Sequence, residues 1–217
     1  MNNIQKYKIF ESHINKKKEI RILFKSIGFN VNQHYKINDN LSVDVYNGIA
    51  LVPAFVSNGM LIVNFNYING HFNCSNLDLT SLKNMPKMID GNFNCSLNSL
   101  KSLDGINCRD GIYCSQNKIT SITPEVFNKV HDFRSNPIFY FLNHLVAWGF
   151  PDDNNILIER IDEFEVIDGN IIDIINLEKM FIFYQNVIEK KIGKHNHLNQ
   201  FIHATKNHSR LKDYTIK

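Results

Sequence analysis

Three thiols recur along this chain: Cys74, Cys95 and Cys114 stand 21 and 19 residues apart, with Cys108 nearby. Thiolates can attack carbonyls, bind zinc or pair as disulfides, so their environment decides which chemistry is open to them. No CxxC pair accompanies them, which argues against a metal ribbon or a disulfide framework. The aligned spacing reads instead as small, reduced, buried side chains that space a core. A second group is His195 and His197 with His203 and His208, near Lys194, Lys206, Arg210, Lys212 and Lys217. Zinc wants tighter, defined spacing with Cys or carboxylate partners, so this stretch reads as a basic, solvent-exposed tail. Glu159, Asp162, Glu163 and Glu165 could hold a general acid–base pair, but an exposed acidic rim accounts for them as well. The chain has no P-loop, GxSxG, HExxH or GxGxxG. No catalytic residue, metal ligand or cofactor is assigned.

The elements that position these residues form a repeat. Two residues before each anchor stands Phe72, Phe93 or Ile112, and six before it Ile68, Ile89 or Cys108. Five residues after come Leu79, Leu100 and Ile119; eight after come Leu82, Leu103 and Ile122. A fourth unit fits with Phe133 in the cysteine's place, giving Phe127, Ile138 and Phe141 at matching offsets. Asn98, Asn117 and Asn136 each fall three residues after their anchor. A period near 20 with this internal pattern predicts a solenoid of short turns. Alternation turns Phe93 and Cys95 inward on a short strand. The following Asn can satisfy backbone groups at the turn and form a ladder between coils. One strand per turn then stacks into a parallel sheet. Gly70, Gly91 and Gly111 precede the strands, where a left-handed or tight backbone is expected.

The segment Phe93-Asn-Cys95-Ser-Leu-Asn98-Ser-Leu100 resembles the leucine-rich-repeat core LxLxxNxL, with Phe and Cys replacing two leucines. More narrowly, FNCSLNSLKSLDG and YCSQNKITSI resemble short leucine-rich-repeat proteins of tailed bacteriophages, which repeat an F-x-C-S-x-N-x-L-T-S-L unit. Ile37-Asn38, Ser42-Val43-Asp44-Val45 and Asn136-Pro137 extend the likeness over about residues 37 to 138. Leu77 departs from it at the Asn position, so the ladder is expected to begin at Asn98. The resemblance implies an α/β fold: a short leucine-rich-repeat-like solenoid in a viral, host-cytoplasmic setting. It implies no catalytic residue.

On either side the pattern changes. Residues 1–36 read as an N-terminal helical cap, with Ile4, Tyr7, Ile9, Phe10, Ile14, Ile20, Leu23, Phe24 and Ile27 near helical spacing and Gly28 as a stop. Lys16, Lys17 and Lys18 read as a solvated face. Residues 37–138 form the solenoid, with degenerate first turns around Leu51–Val56 and Met60–Phe65. Residues 139–217 read as a mainly helical region with the basic tail: a helix up to Gly149, a turn at Asp168-Gly169-Asn170, and a broad apolar helix over Ile171–Ile192.

The chain has 217 residues and a formal charge of +3, a balance that neither demands nor excludes nucleic acid. No run approaches a membrane span, and the first residues lack the apolar core of a secretion signal. With reduced cysteines, these features point to a cytoplasm and no membrane partner.

Function is expected in the outward residues of the strand row: His71, Asn73 and Ser75; Asn92, Asn94 and Ser96; Tyr113 and Ser115; Asp132 and Arg134. Repeat proteins bind on such rigid faces, and Tyr and Arg are typical anchors. Three expectations follow. The first is a non-enzymatic module that binds a protein partner, a host protein inhibited or redirected by a phage product. The second is nucleic-acid or nucleotide binding through the basic tail and Lys16, Lys17 and Lys18. The third is an oligomerisation or enzymatic role for the C-terminal helices, including a homo-oligomer, with the repeats as targeting arm.

Overall fold

The computed structural model describes residues 3–192 and 197–217, leaving out the side chains of residues 3, 4 and 6–10. It is mixed α/β, with a solenoid-like stack of parallel strands of about 4 turns and, among the described residues, 7 helices. Contacts divide the chain into two compact units: Met1–Asn98 with Gly105–Tyr113, and Ser99–Asp104 with Cys114–Lys217.

In the first unit α1 (Asn3–Ser26) leads into ten short strands: β1 (Tyr35–Ile37), β2 (Val43–Tyr46), β3 (Ile49–Ala50), β4 (Val56–Ser57), β5 (Met60–Leu61), β6 (Phe65–Asn69), β7 (Phe72–Asn73), β8 (Met88–Ile89), β9 (Phe93–Asn94) and β10 (Ile112–Tyr113). The helix stops before Gly28, whose φ of +78° ends the αR run. Ile20 and Phe24 are buried. The Phe24 ring stacks on Tyr35 at 4.1 Å and meets Phe55 edge-on at 5.3 Å. The helix thus covers apolar rings at the start of the solenoid, where uncapped coils would leave them in water. Ile4, Tyr7, Ile9 and Phe10 have side chains outside the described residues.

Each coil carries two parallel strands where the sequence pattern suggested one. β3, β7, β9 and β10 form one row, in register Ile49↔Phe72↔Phe93↔Ile112. A second row runs β2, β6 and β8, in register Val45↔Ile68↔Ile89, and continues through a bridge to Cys108. The apolar position six residues before each anchor is therefore the inward residue of the second row. The degenerate first turn belongs to the same stack, with Leu51 N–H donating to Asn73 C=O as Cys74 N–H does to Asn94 C=O.

Glycine makes the corner between the rows. Gly48 and Gly70 have φ of +79° and +117°. A Cβ on Gly70 would lie 2.8 Å from Gly48 N, and one on Gly91 would lie 2.8 Å from Gly70 C. Successive coils approach backbone to backbone here, and no side chain fits between them.

The second unit holds α2 (Pro124–Phe127), β11 (Val130–Asp132), α3 (Pro137–Ala147), α4 (Asn154–Glu163), β12 (Ile167–Asp168), β13 (Ile171–Ile172), α5 (Ile174–Phe183), α6 (Gln185–Ile192), α7 (His197–Asn207) and β14 (Thr215–Ile216). Thr123, Asp153 and Asp173 cap α2, α4 and α5 by accepting from backbone N–H groups. The expected helix over Ile171–Ile192 starts later and is broken. Ile171 and Ile172 pair with Ile167 and Asp168 as a hairpin, and Tyr184 interrupts the helix between α5 and α6. Glu163 ends α4, and extended pairing starts only at Ile167.

The expected exposed tail is corrected in part: Lys206, Arg210, Lys212 and Lys217 are exposed, but the segment that carries them is packed. Phe201, Leu211 and Tyr214 are buried, and β14 pairs in parallel with β13. Burial of three large apolar side chains outweighs the surrounding Lys, His and Asn, each side chain contributing about 1.5–3 kcal/mol. Lys194 and His195 lie outside the described residues.

Candidate functional site

The thiols are core groups. Cys74, Cys95, Cys108 and Cys114 are buried thiols, none of them in a disulfide. Burial pushes the Cys74 thiol far above its ordinary range. The Cys114 thiol is pushed up to about 12, by burial first and by the Asp132 carboxylate second. A thiol held protonated and away from solvent cannot act as a nucleophile at neutral pH.

Three buried asparagines bind coil to coil. Asn98 Oδ1 accepts from the N–H groups of Leu77 and Leu79, and its Nδ2 donates to the carbonyls of Cys74 and Cys95. In the second unit Asn117 Oδ1 accepts from Leu100 N–H at 3.0 Å, and its Nδ2 donates to Cys114 C=O. Asn136 accepts from Ile119 N–H and donates to Cys114 and Phe133 carbonyls. Among the described residues the ladder does begin at Asn98, because Leu77 offers only its backbone N–H.

Polar side chains on the strand row are partly occupied by the same task. His71 Nδ1 accepts from Asn92 N–H at 2.9 Å, and Asn92 Oδ1 accepts from Gly111 N–H at 2.8 Å. Asn73 Oδ1 accepts from Ser75 N–H, and Asn94 Oδ1 from Ser96 N–H. Asn73 and Asn94 hold the turn after their strand, while His71 and Asn92 tie one coil to the next ahead of it. Register sets Asn73 beside Asn94 and Asn94 beside Tyr113 on the first unit's outer face, and Tyr113 is 37% exposed.

The second unit has its own part of the predicted set. Arg134 donates from Nε to Asp132 Oδ1 at 2.9 Å and from Nη2 to Oδ2 at 3.1 Å. Arg134 beside Asp132, aided by the Ser115 hydroxyl, holds the Asp132 carboxyl below the usual carboxylate range. A fork-on-fork pair of this kind is planar and directional. Its guanidinium side chain is 75% exposed and its carboxylate 21%, so it presents a fixed dipole to solvent.

Two groupings lie outside those expectations. On the other strand row Asp90 accepts from the Tyr67 hydroxyl and pairs with Arg109 at 3.0 Å. Nearby, Asp44 accepts from Asn66 and Asn38. These residues flank the apolar position six before each anchor, and that flanking was the available signal. The second grouping is a cleft of about 760 Å³ within the second unit. Lys101, Lys118 and Lys212 line it with Asp162, Asp168 and Asp213, above the buried Ile138 and Ile161. None of these charged groups forms an ion pair with another among the described residues. Beside it the Tyr214 hydroxyl donates to Thr120 C=O, tying β14 to a repeat turn. The cleft can hold a polar ligand bearing both charge signs, at a size typical of ligand sites.

The remaining candidates take structural or solvent roles. Lys16 pairs with Glu19 at 3.0 Å, and Lys17 approaches Asp39 at 3.9 Å. Glu159, Asp162, Glu163 and Glu165 are all exposed, and Glu163 pairs with Arg160. His203 contacts Asn207, while His208 lies 5.5 Å from the His144 ring. Among the described residues no group of three or more His, Cys, Asp or Glu could hold a metal ion. No helix among them is long and apolar enough to cross a membrane. Comparison with protein-family models, with curated proteins and with solved structures found no match to this chain.

Proposed function

We propose that the chain is a non-enzymatic protein-binding module. Its strand row is the recognition surface, and its setting is a phage product that engages and inhibits or redirects a host protein. One observation carries this reading: the register Asn73↔Asn94↔Tyr113 repeats one outward position on a backbone fixed by side-chain ladders. A surface whose turns are already tied down loses little freedom on binding. Tyr113 is the anchor on the first unit, and the Asp132–Arg134 pair is a separate candidate contact on the second, because tyrosine and arginine dominate interface energetics. The phage setting rests on the F-x-C-S-x-N-x-L likeness.

The test is affinity capture from bacterial lysate with the full chain, Tyr113→Asp and Arg134→Glu run in parallel. The reading expects a stoichiometric protein partner, lost or strongly weakened in at least one variant. A wild-type chain that retains nothing, or a partner held equally by both variants, overturns it.

A second reading, binding of nucleic acid or a nucleotide, draws on Lys101, Lys118 and Lys212 around the cleft. It expects affinity that falls steeply with added salt. A mobility-shift assay showing no complex at low salt removes it.

A further inference from the structure

Helix α5 turns one stripe of its surface to solvent. Ile175, Glu178, Lys179, Ile182 and Phe183 are spaced by three, four, seven and eight residues and share a face. Leu177, Met180 and Phe181 are buried on the other side. Ile175 is 67% exposed, Ile182 63% and Phe183 55%, with the exposed charges Glu178 and Lys179 between the two isoleucines and Arg160 over the Phe183 ring at 5.1 Å.

The order of groups along the stripe says what covers it. Reading in either direction, an isoleucine is followed by a charge, the opposite charge and an isoleucine. An antiparallel pair of α5 helices about a two-fold axis between positions 178 and 179 sets Ile175 against Ile182 of the second copy. The same axis sets Glu178 against Lys179 of the second copy. Each contact occurs twice, as a closed two-fold interface requires. Glu178 forms no ion pair among the described residues, and Lys179 Nζ donates at 2.9 Å to the neutral Asn176 Oδ1. Both charges therefore remain available. Beside Ile182 runs a groove of about 320 Å³ in which Phe181, Ile188 and Leu198 alternate with Glu178, Gln185 and Glu189, so the contact is part apolar and part charged.

We propose that the α5 face is the contact of a two-fold homodimer, with Ile175–Ile182 as its apolar centre and Glu178–Lys179 fixing the antiparallel register. The assignment is independent of what the strand row binds.

Sedimentation equilibrium of the full chain at about 10 to 500 µM covers the range in which so small a contact assembles. The expected mass rises towards twice 25.3 kDa. Glu178→Lys and Lys179→Glu each create like-charge contacts and raise the dissociation constant about tenfold or more. The double swap E178K/K179E restores opposite charges across the axis and returns the constant to within about threefold of wild type. Ile182→Asp leaves a monomer with unchanged helical circular dichroism. A wild-type monomer throughout the range, a double swap as weak as the single changes, or a dimer indifferent to Ile182→Asp overturns the proposal.

Discussion

Asn98 reaches Cys74 in the preceding coil: its Nδ2 donates to the Cys74 carbonyl and to the Cys95 carbonyl of its own coil, both at 2.9 Å. Its Oδ1 accepts from Leu77 and Leu79 N–H at 3.1 and 2.9 Å. One amide satisfies four backbone groups where water has no access. Asn98→Ala strands them, and each stranded buried group costs about 1–3 kcal/mol. With partial relaxation, the expected loss is about 3 kcal/mol or more, read as a lower urea midpoint with an unchanged slope.

Leu97, the residue before this asparagine, has φ +60° and is 46% exposed. Asn76, Gln116 and Ser135 hold the same left-handed conformation at the same repeat position. A side chain branched beyond Cβ gains nothing there, and the left-handed region costs an ordinary residue about 1–2 kcal/mol. Leu97→Asn is expected to stabilise by about 1 kcal/mol, because asparagine tolerates this region, and Asn76→Leu to destabilise. Thermal unfolding of both variants checks the pair of signs.

At the corner, Gly91→Ala places a methyl 2.8 Å from the Gly70 carbonyl carbon, which is backbone and cannot step aside. The expected cost is about 3 kcal/mol, at the upper end of overpacking penalties. Gly105→Ala is the control. Gly105 has φ +83° but nothing within 4 Å, so only conformational strain of about 1 kcal/mol applies.

His144 supplies a pH dependence. Burial first, and the neighbouring His208 second, lower its pKa from 6.5 to about 4, and its Nε2 is buried without a hydrogen-bond partner. The folded state therefore favours the neutral ring. Stability is fully present above the unfolded value of 6.5 and is lost as pH falls towards 4. His144→Phe keeps the contact with Phe201, whose ring lies 4.7 Å away, and is expected to flatten the fall in melting temperature across that window. An equally steep fall in the variant assigns the acid sensitivity elsewhere.

The cysteine and phenylalanine anchors are legible in the sequence because burial repeats their type at fixed offsets. The second strand row is only half legible. Ile68, Ile89 and Cys108 announce an inward position, but β8 has only two residues and Cys108 joins by a single bridge, too short to show alternation. The roles of His71 and Asn92 are invisible in one dimension, since they serve N–H groups 21 and 19 residues away that only the coil brings near. The C-terminal segment misleads through composition: Phe201, Leu211 and Tyr214 are few among Lys, His and Asn, yet they set its placement. The break at Tyr184 carries no proline or glycine to signal it.

Photo-crosslinking at position 113 tests the central claim most directly. A photoreactive phenylalanine in place of Tyr113, activated in bacterial cells, is predicted to give one dominant covalent adduct with a different protein. The same group at exposed Lys83, off the strand row, is predicted to give none. No adduct from position 113, or the same adduct from both positions, would contradict the assignment of the strand row as the binding face.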